Sequence, residues 1–266
     1  MFLKALIASL LACIVILAAV LLWPKKNAPE LDKAYENYVN GEKATTISAR
    51  KEFFNRALSQ YTSVEKNADL SLSDGKLYYN IANTYFQLEE YPLAAYYYYR
   101  AQALVPRNDK IKHNLDLTRA KLGLHPEKKD RSIFKSILFF HDHLPLPERL
   151  QLFFLLGILS TLFFSTYIWF PKSWLKKSGI FFTVCTTILL LDLAWTFYLS
   201  PLEGVLVHSS MLYKDAGRQY AQVSDQPLLA GTKVEATEIL QDGKWLKILT
   251  PDETVGYIPQ DAILLL

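Results

Sequence analysis

The chain has 266 residues, of which 51% are hydrophobic, and its mean hydropathy of +0.08 is too apolar for a chain made only of soluble domains. We therefore expect part of its length to lie in a membrane. The formal net charge is +3, and no region is basic enough to predict a nucleic-acid-binding surface. Cys13 and Cys185 both lie inside apolar runs, which excludes a disulfide framework and a thiolate metal site.

Residues 5–23 form an uncharged apolar run, close to the ~20 residues that a membrane-spanning helix needs. A cleaved signal peptide is the alternative. Its apolar region normally has ~7–15 residues and ends at a small-residue cleavage site, whereas this run continues to Trp23. Residues 1–24 are thus expected to be a membrane anchor, with the cleaved signal left open.

Residues 74–106 contain two segments of helical periodicity, separated by a turn at residues 89–92. Pro92 suits the first turn of the second helix, where no N–H is needed. Large and small residues alternate at the spacing of a helix pair: Tyr78, Ile81, Ala82, Tyr85, Ala94, Tyr98, Ala101 and Pro106. This pattern resembles the tetratricopeptide repeat, a helix pair of about 34 residues.

One such pair cannot bury its apolar face alone, so neighbouring helices are required. The sequence predicts an earlier, degenerate pair at residues 34–38 and 46–61, a link at 63–73 and a capping helix at 109–122. Residues 30–125 are therefore predicted to be an all-α repeat domain.

The resemblance implies a peptide-binding groove lined by the first helix of each pair. Its candidate residues are Lys76, Tyr79, Asn80, Asn83, Phe86, Gln87, Lys110, His113 and Asn114, together with Leu117. Tetratricopeptide domains that bind a terminal carboxylate use Lys, Asn and Arg at set positions of the groove. Asn80 and Lys110 match two of these positions, but Asn114 stands where Arg is expected. A run of four tyrosines, 96–99, must spread around more than half of a helix, so at least one is expected to be exposed or to lie against a partner.

Residues 131–146 carry apolar side chains at helical spacing beside Arg131 and Lys135, which predicts a short helix and linker lying on the membrane surface. Two further apolar runs, 150–170 and 180–199, are joined by a short connection and predict a transmembrane hairpin over residues 150–199.

Three lysines, Lys172, Lys176 and Lys177, lie in the connection of the hairpin and predict that it is cytoplasmic. Both soluble parts would then lie on the extracytoplasmic side. Arg149 precedes the run at 150–170, so it lies at the opposite end of the hairpin from the three lysines and counts against this orientation. Asp192, inside the third run, is a candidate functional group by its depth, and hydration at the interface is the alternative.

From Gly204 the periodicity changes to that of short strands. Strands are predicted at 205–208, 211–213, 232–239, 245–249 and 256–258, a small all-β barrel. The progression from Gly231 and Val234, through Trp245, to Gly256 and Tyr257 resembles the bacterial SH3-like domain over residues 203–266. The resemblance implies an aromatic ligand groove formed by Tyr213, Trp245, Tyr257 and Pro259. Burial of Trp245 and Tyr257 in the barrel core is the alternative.

No catalytic constellation emerges from the sequence. A thiol peptidase would need a Cys–His pair, and both cysteines lie in apolar runs. His141, Asp142 and His143 include two metal-ligand types, but alternate residues diverge on a helix. We therefore expect a protein that is not an enzyme and has no cofactor and no metal.

The whole order (anchor, repeat domain, membrane hairpin, SH3-like domain) resembles the BatE-type proteins of bacterial aerotolerance operons. This resemblance implies a multi-pass inner-membrane scaffold that presents two binding domains to the periplasm. Its implied partners are membrane proteins with von Willebrand A domains. A cell-wall-attachment or sensing protein whose barrel binds peptidoglycan peptide is the alternative function.

Overall fold

The computed structural model describes residues 29–67, 75–125, 144–198, 200–240 and 243–266. Within these ranges the chain is mostly helical, with one small antiparallel sheet, and it divides into two compact units. One unit contains the helical hairpin of residues 144–200. The other contains both residues 29–125 and residues 201–266. The predicted anchor, the surface helix at 131–143 and the histidines 141 and 143 lie outside the described residues.

Five helices make up residues 29–125: α1 (Pro29–Lys43), α2 (Ile47–Asn67), α3 (Lys76–Gln87), α4 (Tyr91–Leu104) and α5 (Asp109–Lys121). Helices α1 and α2 pack as one pair and α3 and α4 as the next, with α5 against α4. Pro92 stands in the first turn of α4, as predicted. Helix α2 continues to Asn67, so the beginning of the predicted link at 63–73 is helical instead.

Small residues allow these helices to approach one another. Ala82, Ala94 and Ala101 are fully buried, and Tyr98 fills the space between their turns. Between the first two helices, a Cβ on Gly41 would lie 2.8 Å from the ring of Phe54. The apolar pattern read from the sequence is therefore the pattern of interhelix contact.

The hairpin consists of α6 (Leu146–Trp169) and α7 (Ser173–Tyr198), both long and apolar enough to span a membrane. Phe163 stacks on Phe182 at 5.3 Å between ring centroids, and Ser160 Oγ lies 2.7 Å from Thr183 Oγ1. Both helices begin earlier than predicted. Helix α7 includes most of the predicted connection, and α6 includes Arg149, because N-terminal helix turns accept polar residues that break an apolar run.

The sheet has five antiparallel strands in the order β4-β3-β2-β1-β5. They are β1 (Leu202–Leu206), β2 (Lys233–Leu240), β3 (Trp245–Leu249), β4 (Val255–Pro259) and β5 (Ile263–Leu265). The core on one face contains Leu206, Leu212, Val234, Leu246, Ile248, Ile258 and Ile263. A five-stranded β structure is thus confirmed, but its membership differs from the prediction.

One strand prediction is wrong, and one strand was missed. Residues 211–213 are not a strand; an isolated bridge between Tyr213 and Tyr257 of β4 joins this region to the sheet. The fifth strand is instead β5, which pairs with β1 in the register Val205–Leu264. Three residues between a helical turn and the end of the sequence offer too short a period-2 pattern to be recognised.

Candidate functional site

The predicted groove corresponds to the layer formed by the first helices α1, α3 and α5. Asn114 of α5 donates from Nδ2 to Asn83 Oδ1 (3.0 Å) and to the Tyr79 hydroxyl (3.2 Å), both on α3. The Tyr98 hydroxyl of α4 donates to the same Asn83 oxygen at 2.6 Å. Asn83 therefore joins three helices, and burial raises the pKa of Tyr98 well above its ordinary value.

The predicted groove residues divide into two groups. Asn83, Asn114 and Tyr79 are half-buried and hold helices together. Phe86 and Gln87 are also half-buried: the Phe86 ring meets Tyr91 edge-on, and Gln87 Oε1 accepts from Arg50, while Asn80 is half-buried as well. The exposed members are Lys76, Lys110 and His113, with Leu117 exposed to 43%.

The four consecutive tyrosines of α4 divide between the helical part and the C-terminal sheet. The Tyr97 hydroxyl donates to Glu65 of α2 at 2.9 Å, and Tyr98 donates to Asn83. Tyr96 and Tyr99 are buried against the C-terminal sheet. Within the described residues, two members of the run therefore lie against the sheet of the same chain.

The aromatic residues predicted as a ligand groove do come together on the sheet. The rings of Tyr213 and Trp245 meet edge-to-face at 5.6 Å. Tyr213 exchanges two backbone hydrogen bonds with Tyr257, and Trp245 lies opposite Pro259 in the β3–β4 register. The four predicted residues form one cluster, which we call the aromatic face.

The aromatic face lies on the side of β3 and β4 away from the apolar core of the sheet. Trp245 alternates with Leu246, and Tyr257 with Ile258, so the two sets of side chains point to opposite faces of the sheet. Trp245 is 8% exposed and Tyr257 is half-buried, with Lys247 Nζ 6.0 Å from the Tyr257 ring. Trp245 is buried, but outside the core cluster.

Gly256 positions Tyr213 on this surface. A Cβ at Gly256 would lie 2.5 Å from Leu212 Cγ and 2.9 Å from the Tyr213 carbonyl oxygen. The segment at 212–213 can therefore cross β4 only because residue 256 has no side chain.

Inside the hairpin, Asp192 has a partner that the sequence analysis missed. Arg149 Nη1 donates to Asp192 Oδ2 at 2.9 Å and to Thr196 Oγ1 at 2.8 Å. The side chains of Arg149 and Asp192 are only 6% and 3% exposed. The pair thus neutralises two charges that would each be expensive in hydrocarbon. The only signal in the sequence was one cation and one anion at the same end of two antiparallel helices.

Exposed tryptophans mark both ends of α7. Trp174 and Trp195 are 21 positions apart, which corresponds to about 31 Å at ~1.5 Å per residue. This length matches the ~30 Å hydrocarbon core of a bilayer. Asp192 lies about one helical turn before Trp195 along α7. Of the most apolar 18-residue stretch in each helix, 0% is buried in α6 and 17% in α7, whereas the core helices of soluble proteins are mostly buried.

Among the described residues, no group of three His, Cys, Asp or Glu side chains is placed to hold a metal ion. Cys185 is a free thiol in α7.

No protein-family model matches the chain, and no curated protein matches it.

Proposed function

We propose that the chain is a non-enzymatic scaffold of the bacterial inner membrane, attached by its helical hairpin and presenting two protein-binding surfaces to the periplasm. The first is the face of α5 that carries Lys110, His113 and Leu117. These residues share one side of the helix and are exposed, while Ile111 and Leu115 are buried. An exposed apolar residue beside a lysine and an imidazole N–H donor suits an extended peptide with acidic groups.

The second surface is the aromatic face of the barrel. Tyrosine and tryptophan combine a large apolar area with a polar group, and they are enriched at protein interfaces. Under this proposal residues 29–125 act as a tetratricopeptide domain and residues 203–266 as a bacterial SH3-like domain. Partners would include von Willebrand A-domain membrane proteins, in an envelope complex of the BatE type that serves aerotolerance.

The test compares tagged full-length proteins purified from detergent-solubilised membranes. The groove variant is Lys110→Ala, His113→Ala and Leu117→Ala. Its matched control on the other exposed side of α5 is Lys112→Ala and Asp116→Ala. A von Willebrand A-domain protein should co-purify with the wild type and the control but not with the groove variant. Equal recovery from all three would exclude this surface.

The aromatic face also favours a second candidate, a cell-wall protein whose barrel binds peptidoglycan peptide. Cosedimentation of the detergent-solubilised full chain with purified peptidoglycan tests it. Binding that is lost in Tyr257→Ala and retained in the groove variant would favour the cell-wall function. An absence of sedimentation in the wild type would exclude it.

A further inference from the structure

Two segments far apart in the sequence, 29–125 and 201–266, belong to the same compact unit of the described structure. Val205 of β1 is fully buried in the same apolar cluster as Tyr96, Tyr99 and Ala101 of α4. Leu266 packs against this cluster too. The helical part and the sheet therefore share a core, which goes beyond a surface contact.

Polar contacts surround this shared core. The Tyr96 hydroxyl donates to the Leu265 carbonyl oxygen at 3.1 Å. Lys233 Nζ lies 5.3 Å from the Tyr99 ring centroid and pairs with Glu203 at 2.7 Å. The Tyr99 hydroxyl accepts from Arg119 Nη1 at 2.9 Å. An apolar centre with satisfied polar groups around it is the arrangement of a stable interface.

At Gly231 the C-terminal segment lies in close contact with the residues that follow α5. This glycine has φ +85°, and a Cβ there would collide with Leu122 Cδ1 and come within 3.2 Å of Leu124 Cδ1, two residues that follow α5. Glycine is therefore favoured at position 231 for two reasons: the backbone turn with positive φ, and the contact with Leu122, which is more than 100 positions away in the sequence.

We infer that the α4 surface carrying Tyr96 and Tyr99 is a permanent docking surface for the C-terminal sheet, so that both ends of the membrane hairpin must leave the bilayer on the same side. Two segments that share a core cannot be separated by a membrane. The chain between them therefore crosses an even number of times. Residues 126–143 are rich in charged side chains, which leaves α6 and α7 as the two crossings.

This argument uses packing alone and does not depend on the lysines of the connection. It rests on the proposed crossing of the membrane by the hairpin, but not on either binding role. It also accounts for the tyrosine run, because two of its members are committed to the sheet and two to the helical part.

Docking is tested in the full chain in lipid nanodiscs by hydrogen exchange of the α4 amides. Gly231→Ala introduces the collision with Leu122. Gly243→Ala is the matched control, because Gly243 has nearly the same φ, +86°, but among the described residues a Cβ there would meet only Gln260 Oε1, at 3.4 Å. Exchange in α4 should accelerate by about threefold or more in Gly231→Ala, because the ends of the Leu122 and Leu124 side chains must move, and remain unchanged in Gly243→Ala. Equal exchange in the two variants would overturn the docking surface.

A second pair of variants, which changes only side-chain hydroxyls, tests docking without the risk of misfolding the sheet. Tyr96→Phe removes the hydrogen bond to Leu265 and the hydroxyl's contact with Arg100, whereas Tyr97→Phe removes the bond to Glu65 within the helical part. Exchange of the β5 amides should rise about fivefold in Tyr96→Phe alone, as the loss of one hydrogen bond predicts. No difference between the two would count against docking.

Sidedness is tested with a membrane-impermeant maleimide on right-side-out vesicles, using single cysteines in a chain that carries Cys13→Ala and Cys185→Ala. The exposed positions Ser59, Asp252 and Lys176 report on the helical part, the sheet and the hairpin connection. Cysteines at 59 and 252 should be labelled and the one at 176 protected. Opposite labelling of 59 and 252 would overturn the inference. Equal labelling of all three would show that the hairpin does not cross, and would overturn it as well.

Discussion

The ion pair between Arg149 and Asp192 allows a quantitative test of the hairpin. We consider Arg149→Met, Asp192→Asn and the double variant. The two charges lie 2.9 Å apart and are almost completely buried, so removing either one leaves the other without its counter-ion. Breaking a buried pair in this way costs about 3–5 kcal/mol in measured cases. On insertion scales an isolated charge at the centre of a spanning helix costs about 2.5–3.5 kcal/mol, which is an upper bound for Asp192 because it lies near the end of α7.

The double variant should behave differently from either single variant. Methionine and asparagine carry no charge, so no uncompensated ion remains, and replacing a whole buried pair is often neutral or stabilising. We expect the free energy of unfolding to fall by about 3 kcal/mol or more in each single variant and by less than about 1 kcal/mol in the double variant. The coupling between the two sites would then exceed the loss in the double variant.

The assay is unfolding of the purified full chain in detergent micelles, followed by protection of the hairpin from protease. Thr196→Val is the control, because it keeps both charges and removes a neutral acceptor of Arg149 together with the hydroxyl's bond to the Asp192 carbonyl oxygen, at a cost of about 0.5–1.5 kcal/mol. Additive losses in the double variant would refute the reasoning, since they would show that the two side chains are stabilised by water or lipid headgroups and not by each other.

Three further predictions concern the soluble unit in the full-length protein. Asn83→Ala should lower its thermal stability by about 1–3 kcal/mol, because the buried hydroxyl of Tyr98 loses its acceptor; a melting temperature equal to that of the wild type would contradict this role. Trp245→Ala should cost about 3–5 kcal/mol and abolish cooperative unfolding of the sheet, as measured by circular dichroism, whereas a folded variant that lost only partner binding would make the residue part of a ligand groove. Burial raises the pKa of Tyr97 and Tyr98 above the ordinary 10.0, so tyrosines ionise first in the unfolded chain. Their contribution is complete below pH ~10 and lost as pH rises further, and the melting temperature should fall above pH ~10 while it stays flat from pH 7 to 9, with tyrosinate absorbance as the second readout.

The local sequence pattern was sufficient to predict an element wherever its buried residues recur with the period of a single helix or strand. The predicted helix pair at residues 74–106 appears as α3 and α4, and the prediction for β3 has the observed bounds, Trp245–Leu249. Patterns failed at segments whose ends are polar or short. Helix α6 begins before its apolar run, and β5 is too short to show a period.

The candidate sites were predictable as residue sets but not as roles. The sequence grouped Tyr213, Trp245, Tyr257 and Pro259, and the structure places them together on one face of the sheet. It also assigned Asn83 to a groove surface, although the residue bonds to both Tyr98 and Asn114. A polar residue on a helix face looks the same in sequence whether it meets solvent or two neighbouring helices.

By itself, the sequence determined the order of the parts, the helical and strand periods, and the apolar length of the hairpin, because each depends on residues within a few turns of one another. The tertiary structure decided which distant residues became partners: Arg149 with Asp192, Tyr96 with Leu265, and Gly231 with Leu122. These contacts depend on how finished elements pack, and packing is a property of three-dimensional shape that no local periodicity encodes.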